Sequence, residues 1–145
     1  MKRVPDLLAI DIGNTRAKFG LFRVGPGQSI EPVSIVARVL DQTPCLADEL
    51  QAWWQTLNLS VPVRAVVAGS DPETREQLTS SWPFANGTPA IIANHKQIPI
   101  GMDVDFPEKV GIDRLLNVFA GGRLFAVNRP VIVVDSGTAT TVDLM

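Results

Sequence analysis

The sequence predicts an α/β fold, a mixed sheet with helices on its faces and the element order β-β-β-α-β-α-β-α. Three observations predict it. Two apolar runs, Leu7-Leu8-Ala9-Ile10 and Val131-Ile132-Val133-Val134, each end in an Asp-x-Gly turn and then resume as a second strand. Between them the apolar period lengthens from two to about 3.6, so that Leu46, Leu50, Trp53, Trp54 and Leu57 fall on one helical stripe. After that stripe, short apolar strands alternate with helical segments up to the second turn.

The elements follow in order. Leu7 to Ile12 and Ala17 to Val24 form a hairpin, and the continuous apolar run before Asp11 predicts a strand buried on both faces. Gly25-Pro26-Gly27-Gln28-Ser29 is an exposed turn by composition. Ser34 to Leu40 alternates apolar with polar residues and completes an antiparallel meander. A helix spans Pro44 to Leu57, capped by Thr43 with Pro44 at its first position. The Trp53-Trp54 pair belongs to its core face.

Val63 to Ala68 is a short strand ending in Gly69-Ser70-Asp71-Pro72, and a helix runs from Pro72 to Ser81. Ala90 to Ala93 is the fifth strand. From Asn94 to Lys109 prolines and charges predict a long surface loop, with His95 solvated in it. Gly111 to Leu124 is a helix whose apolar side is Leu115, Leu116, Val118, Phe119 and Leu124. Val131 to Leu144 carries the second buried run and the second turn.

What the paired turns could do follows from their residue types. A glycine two positions past the aspartate permits a tight turn or a close backbone approach. The Asn and Thr side chains that follow can turn the chain and donate hydrogen bonds. Successive N–H groups in a turn form an anion-binding concavity, and an aspartate at a strand end can hold a cation directly or through water. Phosphate with a metal ion is the guest that fits. Either turn alone is equally an ordinary hairpin; two of them in one chain are harder to ascribe to turn chemistry.

Other chemistries are excluded or disfavoured. The chain has 145 residues, 46% of them hydrophobic, a net charge of -2 and a single histidine and cysteine. That length predicts one domain with one core. The charge balance gives no footprint for nucleic acid. A lone Cys45 forms no internal disulfide and fits a reducing compartment. No run approaches the ~18 apolar residues of a membrane span, and no signal peptide precedes the first strand, so a cytoplasmic setting is expected. There is no Gly-x-x-x-x-Gly-Lys-[Ser/Thr] loop and no Gly-x-Ser-x-Gly elbow, and one histidine cannot supply a hydrolase triad or a zinc site.

Asp11-Ile-Gly-Asn-Thr15 resembles the opening phosphate motif of the acetate kinase, sugar kinase and actin superfamily, whose halves are ribonuclease-H-like sheets. Together with Gly111-Ile-Asp-Arg114 and Asp135-Ser-Gly-Thr-Ala-Thr-Thr141-Val-Asp143, it is similar to type III pantothenate kinase in order and spacing. The resemblance implies ATP-dependent phosphorylation of pantothenate, the first step of coenzyme A biosynthesis. Residues 1–145 would be the N-terminal actin-like ATPase domain, with a second domain of similar size missing. Such a half is expected to be inactive alone, to bind ATP weakly and to self-associate.

By the same resemblance, Asp11, Gly13, Asn14, Thr15 and Lys18 contact the ATP phosphates, with Asp11 holding Mg²⁺ through water; Lys18 is equally readable as an exposed strand lysine. Gly137 and Thr138 bind the other side of the phosphates. Asp135 ligates a monovalent cation, K⁺ or NH₄⁺. Gly111, Ile112, Asp113 and Arg114 contact pantothenate, and Asp113 is the general base. From the residues alone, Asp113 is also simply a favourable first-turn carboxylate. Val104 stands where many members have a tyrosine, and Phe106 is the nearest aromatic. The partners implied are a small-molecule acceptor and a second copy in a homodimer, with no nucleic acid and no membrane. Two other readings stay open: a non-catalytic regulatory relative, and an actin-like phosphotransferase with another acceptor.

Overall fold

A computed structural model describes residues 7–24, 30–40, 45–59, 64–85, 87–125 and 129–145. The chain divides into two compact units, Met1–Ile91 and Ile92–Met145. The first is built on β1 (Leu7–Ile12), β2 (Arg16–Val24), β3 (Ile30–Val39), β4 (Arg64–Gly69) and β5 (Ala90–Ile92), with α1 (Leu46–Thr56) and α2 (Pro72–Ser80) in the connections. The sheet order is β3-β2-β1-β4-β5. β1 to β3 form the expected antiparallel meander, while β4 runs parallel to β1 in the register Leu7↔Arg64 to Ile12↔Gly69. This is the mixed sheet, with helices in its connections, that the sequence predicts. A parallel neighbour needs a crossover, and α1 supplies it.

One cluster forms the core. Leu8, Ile10 and Ile12 of β1 and Ala17, Phe19 and Leu21 of β2 alternate onto one face, where they meet Val67, Leu50, Trp53, Trp54 and Leu78. The tryptophan pair is therefore packing: the Phe19 and Trp53 rings lie 5.7 Å apart, and Trp54 lies 5.2 Å from Phe84. Strand β1 is not buried on both faces as its composition predicts. Leu7, Ala9 and Asp11 stay partly exposed, because α1 and α2 both feed the same cluster.

Several boundaries shift for identifiable reasons. β3 starts four residues before the predicted Ser34 and takes in Pro32, which an edge strand tolerates; its register slips opposite Leu21 and Phe22. α1 begins at Leu46 with Cys45 as its N-cap and no side-chain cap bond, so Thr43 is not the cap; Asp48 and Glu49 in the first turn offset the helix dipole instead. Thr43, Pro44, Val63 and the Gly25–Ser29 turn lie outside the described residues. α2 is capped by Asp71, whose carboxylate accepts from the backbone N–H of Glu73 and Thr74 at 3.1 and 3.2 Å and from Thr74 Oγ1 at 2.7 Å.

The Thr74 hydrogen bond, foremost among several causes, holds the Asp71 carboxyl below its ordinary value. A depressed folded-state pKa contributes stability above the unfolded value and loses it as pH falls through the folded value. Asp71→Ala is therefore expected to cost about 1 kcal/mol at neutral pH. The gap to wild type narrows below roughly pH 4. Urea denaturation of both proteins at pH 7 and pH 3 checks this, and an equal gap at the two values refutes it.

The second unit has 3₁₀ turns at His95–Gln97 and Pro107–Lys109, then α3 (Ile112–Phe125) and the antiparallel hairpin β6 (Ile132–Ser136) and β7 (Thr140–Leu144). The predicted 94–109 loop is thus punctuated by two short turns. The first is a capping box, Asn94 accepting from Lys96 N–H and Gln97 accepting from Asn94 N–H. α3 turns Ile112, Leu115 and Gly121 inward, with Leu116, Val118 and Phe119 half-buried; Leu124, assigned to its apolar side from sequence, is 66% exposed. β6 is likewise not buried on both faces. Val131, Val133 and Asp135 share a face toward α3, leaving Ile132 and Val134 exposed with Val142 and Leu144 of β7. Among the described residues no helix is long and apolar enough to cross a membrane.

Candidate active site

In the first unit the predicted phosphate motif gathers at one end of the sheet. Asp11 and Lys18 are direct cross-strand partners, and Lys18 Nζ donates to Asp11 Oδ2 at 3.5 Å. Both side chains are well exposed, so this long pair adds little stability; it does put a cation and a carboxylate on the same face. Gly13 N–H donates to the Arg16 carbonyl at 2.9 Å and closes the turn. A Cβ on Gly13 would press on that carbonyl, which explains the glycine. This N–H is spent inside the turn, and the next two residues of the tip, Asn14 and Thr15, are exposed.

The end of β1 is backed by β4. Gly69 has φ +138, and a Cβ there would run into the backbone of Ile12; Ser70 N–H donates to the Ile12 carbonyl at 2.9 Å. Only glycine lets the two parallel strand ends come this close, one residue from Asp11.

In the second unit the other predicted residues sit where α3 meets the hairpin. Gly111 precedes the helix, and its carbonyl accepts the N–H of Leu115 at 3.2 Å. The carboxylate of Asp113 folds back over the Gly111 Cα, where a Cβ would strike Asp113 Oδ1. Glycine at 111 thus leaves open the space in which the Asp113 carboxylate lies. Ile112 is buried and offers a ligand only its backbone; with His95, Lys96, Glu108 and Val110 it borders a cleft of about 340 Å³. Val104 is half-exposed, and Phe106 lies under Lys109, whose Nζ is 4.2 Å from the ring centre.

Arg114, a turn into α3, reaches the hairpin. Its Nε donates to both carboxylate oxygens of Asp143 at 3.2 Å, and its Nη2 donates to Asp143 Oδ1. This hydrogen bond raises the Arg114 pKa above its ordinary value, outweighing partial burial. Three residues on, Asn117 Nδ2 donates to Asp135 Oδ2 at 2.9 Å. Directly across the hairpin from Asp135, the Thr141 hydroxyl is buried without a hydrogen-bond partner among the described residues. At the tip Gly137 N–H donates to the Ala139 carbonyl at 3.0 Å, so this turn, like the first, is closed by its glycine, and Thr138 is exposed.

Close packing makes these contacts possible. Gly121 and Gly122 of α3 face the hairpin, where a methyl group on either would collide with Val133 or Met145. Asn117 lies outside the motifs, and Thr141 and Asp143, which end the second motif, had no role assigned from sequence. A signal for the first existed: Asn117 lies at i+3 from Arg114, on the same helical face.

No cluster of three or more His, Cys, Asp or Glu side chains is present among the described residues. A cation at Asp135 would therefore have one carboxylate, hydroxyl or carbonyl oxygens and water, a donor set suited to a weakly held hard ion. The orphaned Thr141 hydroxyl facing that carboxylate fits this description. Asp11, reachable by solvent, fits a hydrated divalent ion.

The family model described as type III pantothenate kinase matches residues 7–145. The type III pantothenate kinase of Persephonella marina is 29% identical over 149 residues, covering 96% of this chain and 54% of that protein. That of Gluconobacter oxydans is 35% identical over 147 residues, covering 96% of this chain and 51% of its own length. The chain spans about half the length of the curated relatives it matches. Among solved structures, the Aquifex aeolicus member of the Ppx/GppA family aligns with 96% of this chain and 50% of its own at 12% identity, with a TM-score of 0.49.

Proposed function

The chain belongs to the type III pantothenate kinase family, and from that membership we propose that the whole protein transfers the γ-phosphoryl group of ATP to pantothenate. Residues 1–145 are read as its N-terminal actin-like domain. The observation that carries this reading is the Asp113 carboxylate laid over Gly111 at the head of α3, followed by an arginine whose fork is already oriented.

The chemistry asks for three things: neutralised phosphates, an in-line hydroxyl and a proton acceptor. Asp113 takes the proton of the pantothenate hydroxyl as its oxygen forms the bond to the γ-phosphorus and the bond to the leaving ADP oxygen breaks. Arg114 receives the acceptor's carboxylate, which its planar guanidinium binds through two N–H groups. Asn14, Thr15 and Lys18 contact the ATP phosphates at the first turn, with Gly13 keeping that turn tight. Gly137 and Thr138 contact them at the second. Asp11 would hold Mg²⁺, and Asp135, with the Thr141 hydroxyl opposite, would hold a monovalent cation such as K⁺ or NH₄⁺. When bound, these ions offset phosphate charge.

The setting proposed is the cytoplasm, and the assembly a homodimer, a reading that the exposed apolar face of the β6–β7 hairpin supports. The deciding experiment incubates the full-length protein with ATP, Mg²⁺, K⁺ and pantothenate and follows phosphopantothenate by mass spectrometry, with sedimentation velocity on the same sample. Product at catalytic turnover is expected, from a dimer. ATP binding without turnover would favour the non-catalytic relative, and a monomer that turns over would remove the dimer from the proposal.

A further inference from the structure

We propose that Asp143 is the positioning residue of the acceptor site, holding Arg114 so that one edge of its guanidinium faces the pantothenate carboxylate. The inference rests on the function proposed above and gives a role to Asp143, which the motif contains but to which neither the motif nor the chemistry of transfer assigns a task.

A guanidinium has five N–H groups in a rigid plane and can present two N–H pairs to two carboxylates at once. Asp143 occupies the edge formed by Nε and Nη2. That leaves the edge formed by Nη1 and the outer N–H of Nη2, the geometry a second carboxylate binds most strongly. The Arg114 side chain is 38% exposed, whereas that of Asp143 is 16% exposed, so the anchoring carboxylate is the more buried partner and the arginine remains reachable. An arginine left to itself would lose considerable rotamer entropy on binding a ligand. Here that ordering is done by the fold.

The hairpin can do this because it is seated against α3 at several points. Arg114, Asn117 and Gly121 lie on one stripe of the helix, meeting Asp143, Asp135 and Val133 respectively. The register places Asp143 opposite Val133, next along the same face from Asp135. Asp143 also neutralises Arg114, and that competing effect makes the inference testable. If neutralisation were its main role, removing it would strengthen acceptor binding; if positioning is, removal weakens it.

The test uses the full-length enzyme with two acceptors, pantothenate and its primary amide, which keeps the reacting hydroxyl and lacks the carboxylate. Asp143→Ala is expected to raise KM for pantothenate by roughly 10- to 100-fold with kcat nearly unchanged, and to leave KM for the amide within about two-fold. Asp143→Asn, which keeps size and one acceptor oxygen, should show a smaller rise in the same direction. If Asp143→Ala fails to fold, the asparagine variant alone carries the comparison. A KM for pantothenate that falls or stays constant overturns the inference, as does a loss shared equally by both acceptors; both leave the kinase reading standing. A wild-type enzyme inert toward both acceptors overturns the reading and the inference with it.

Discussion

Asp113→Asn in the full-length protein is expected to lower kcat by roughly 10²–10⁴-fold with little change in ATP affinity, because it keeps the size of the side chain and removes the base. The geometry supplies a companion. Asp113 lies over Gly111, so Gly111→Ala must push the carboxylate aside, while the obstructing atoms belong to a mobile side chain rather than to backbone. That variant should fold normally, yet lose on the order of 10² in kcat, since a base displaced by about an ångström no longer meets its proton. Steady-state kinetics on both variants, with thermal melts as a control, decide the matter. An asparagine variant within a few-fold of wild type would remove Asp113 from the mechanism.

The second large effect is expected at Asp135. Its carboxylate accepts one hydrogen bond from Asn117 and faces the unpartnered Thr141 hydroxyl. If this is the cation site, wild-type activity depends on K⁺ or NH₄⁺, and Asp135→Ala abolishes that dependence together with most activity. A readout independent of turnover is available: K⁺ should raise the melting temperature of wild type relative to Na⁺, and should not do so for the variant. Equal rates and equal melting temperatures in the two salts would count against the assignment.

Much of this was legible in the chain, for reasons that differ by element. The α1 stripe was readable because Leu50, Trp53 and Trp54 recur at helical spacing and are the residues the core takes. Both Asp-x-Gly turns were readable because the residue types that make a hairpin tip are few. The extent of burial was not. A run such as Val131-Ile132-Val133-Val134 has the same composition whether one face or two are covered, and here Ile132 and Val134 face outward. Leu124 misled for a related reason: the contact of α3 with the hairpin is made by Gly121, a residue with no side chain for an apolar pattern to register.

The pairing of Arg114 with Asp143 lay beyond sequence reasoning for another reason. It depends on how a hairpin closes and on how closely a helix approaches it. Motif reading assigned Arg114 to a ligand, and the structure shows that a protein carboxylate has one edge of it first. Likewise Gly13 was readable as a glycine required by the turn, but only its hydrogen bond to Arg16 shows that its own N–H is already engaged.

The adjacent glycines of α3 have a consequence for how the second unit holds together. Each costs about 1 kcal/mol of helix propensity relative to alanine, and they sit in the last half of a 14-residue helix, a length that is marginal in isolation. Alanine at these positions would strengthen the helix alone but make the side chains of Val133 and Met145 give way where it seats on the hairpin. The helix is therefore supported by the hairpin lying against it, and a two-stranded pairing such as β6–β7 gains in turn from the helix it packs on. Opening one should open the other. Amide exchange in α3, β6 and β7 is then expected to proceed as a single event, and an acceptor bound at Arg114, which is itself tied to Asp143 of the hairpin, to slow it throughout the group.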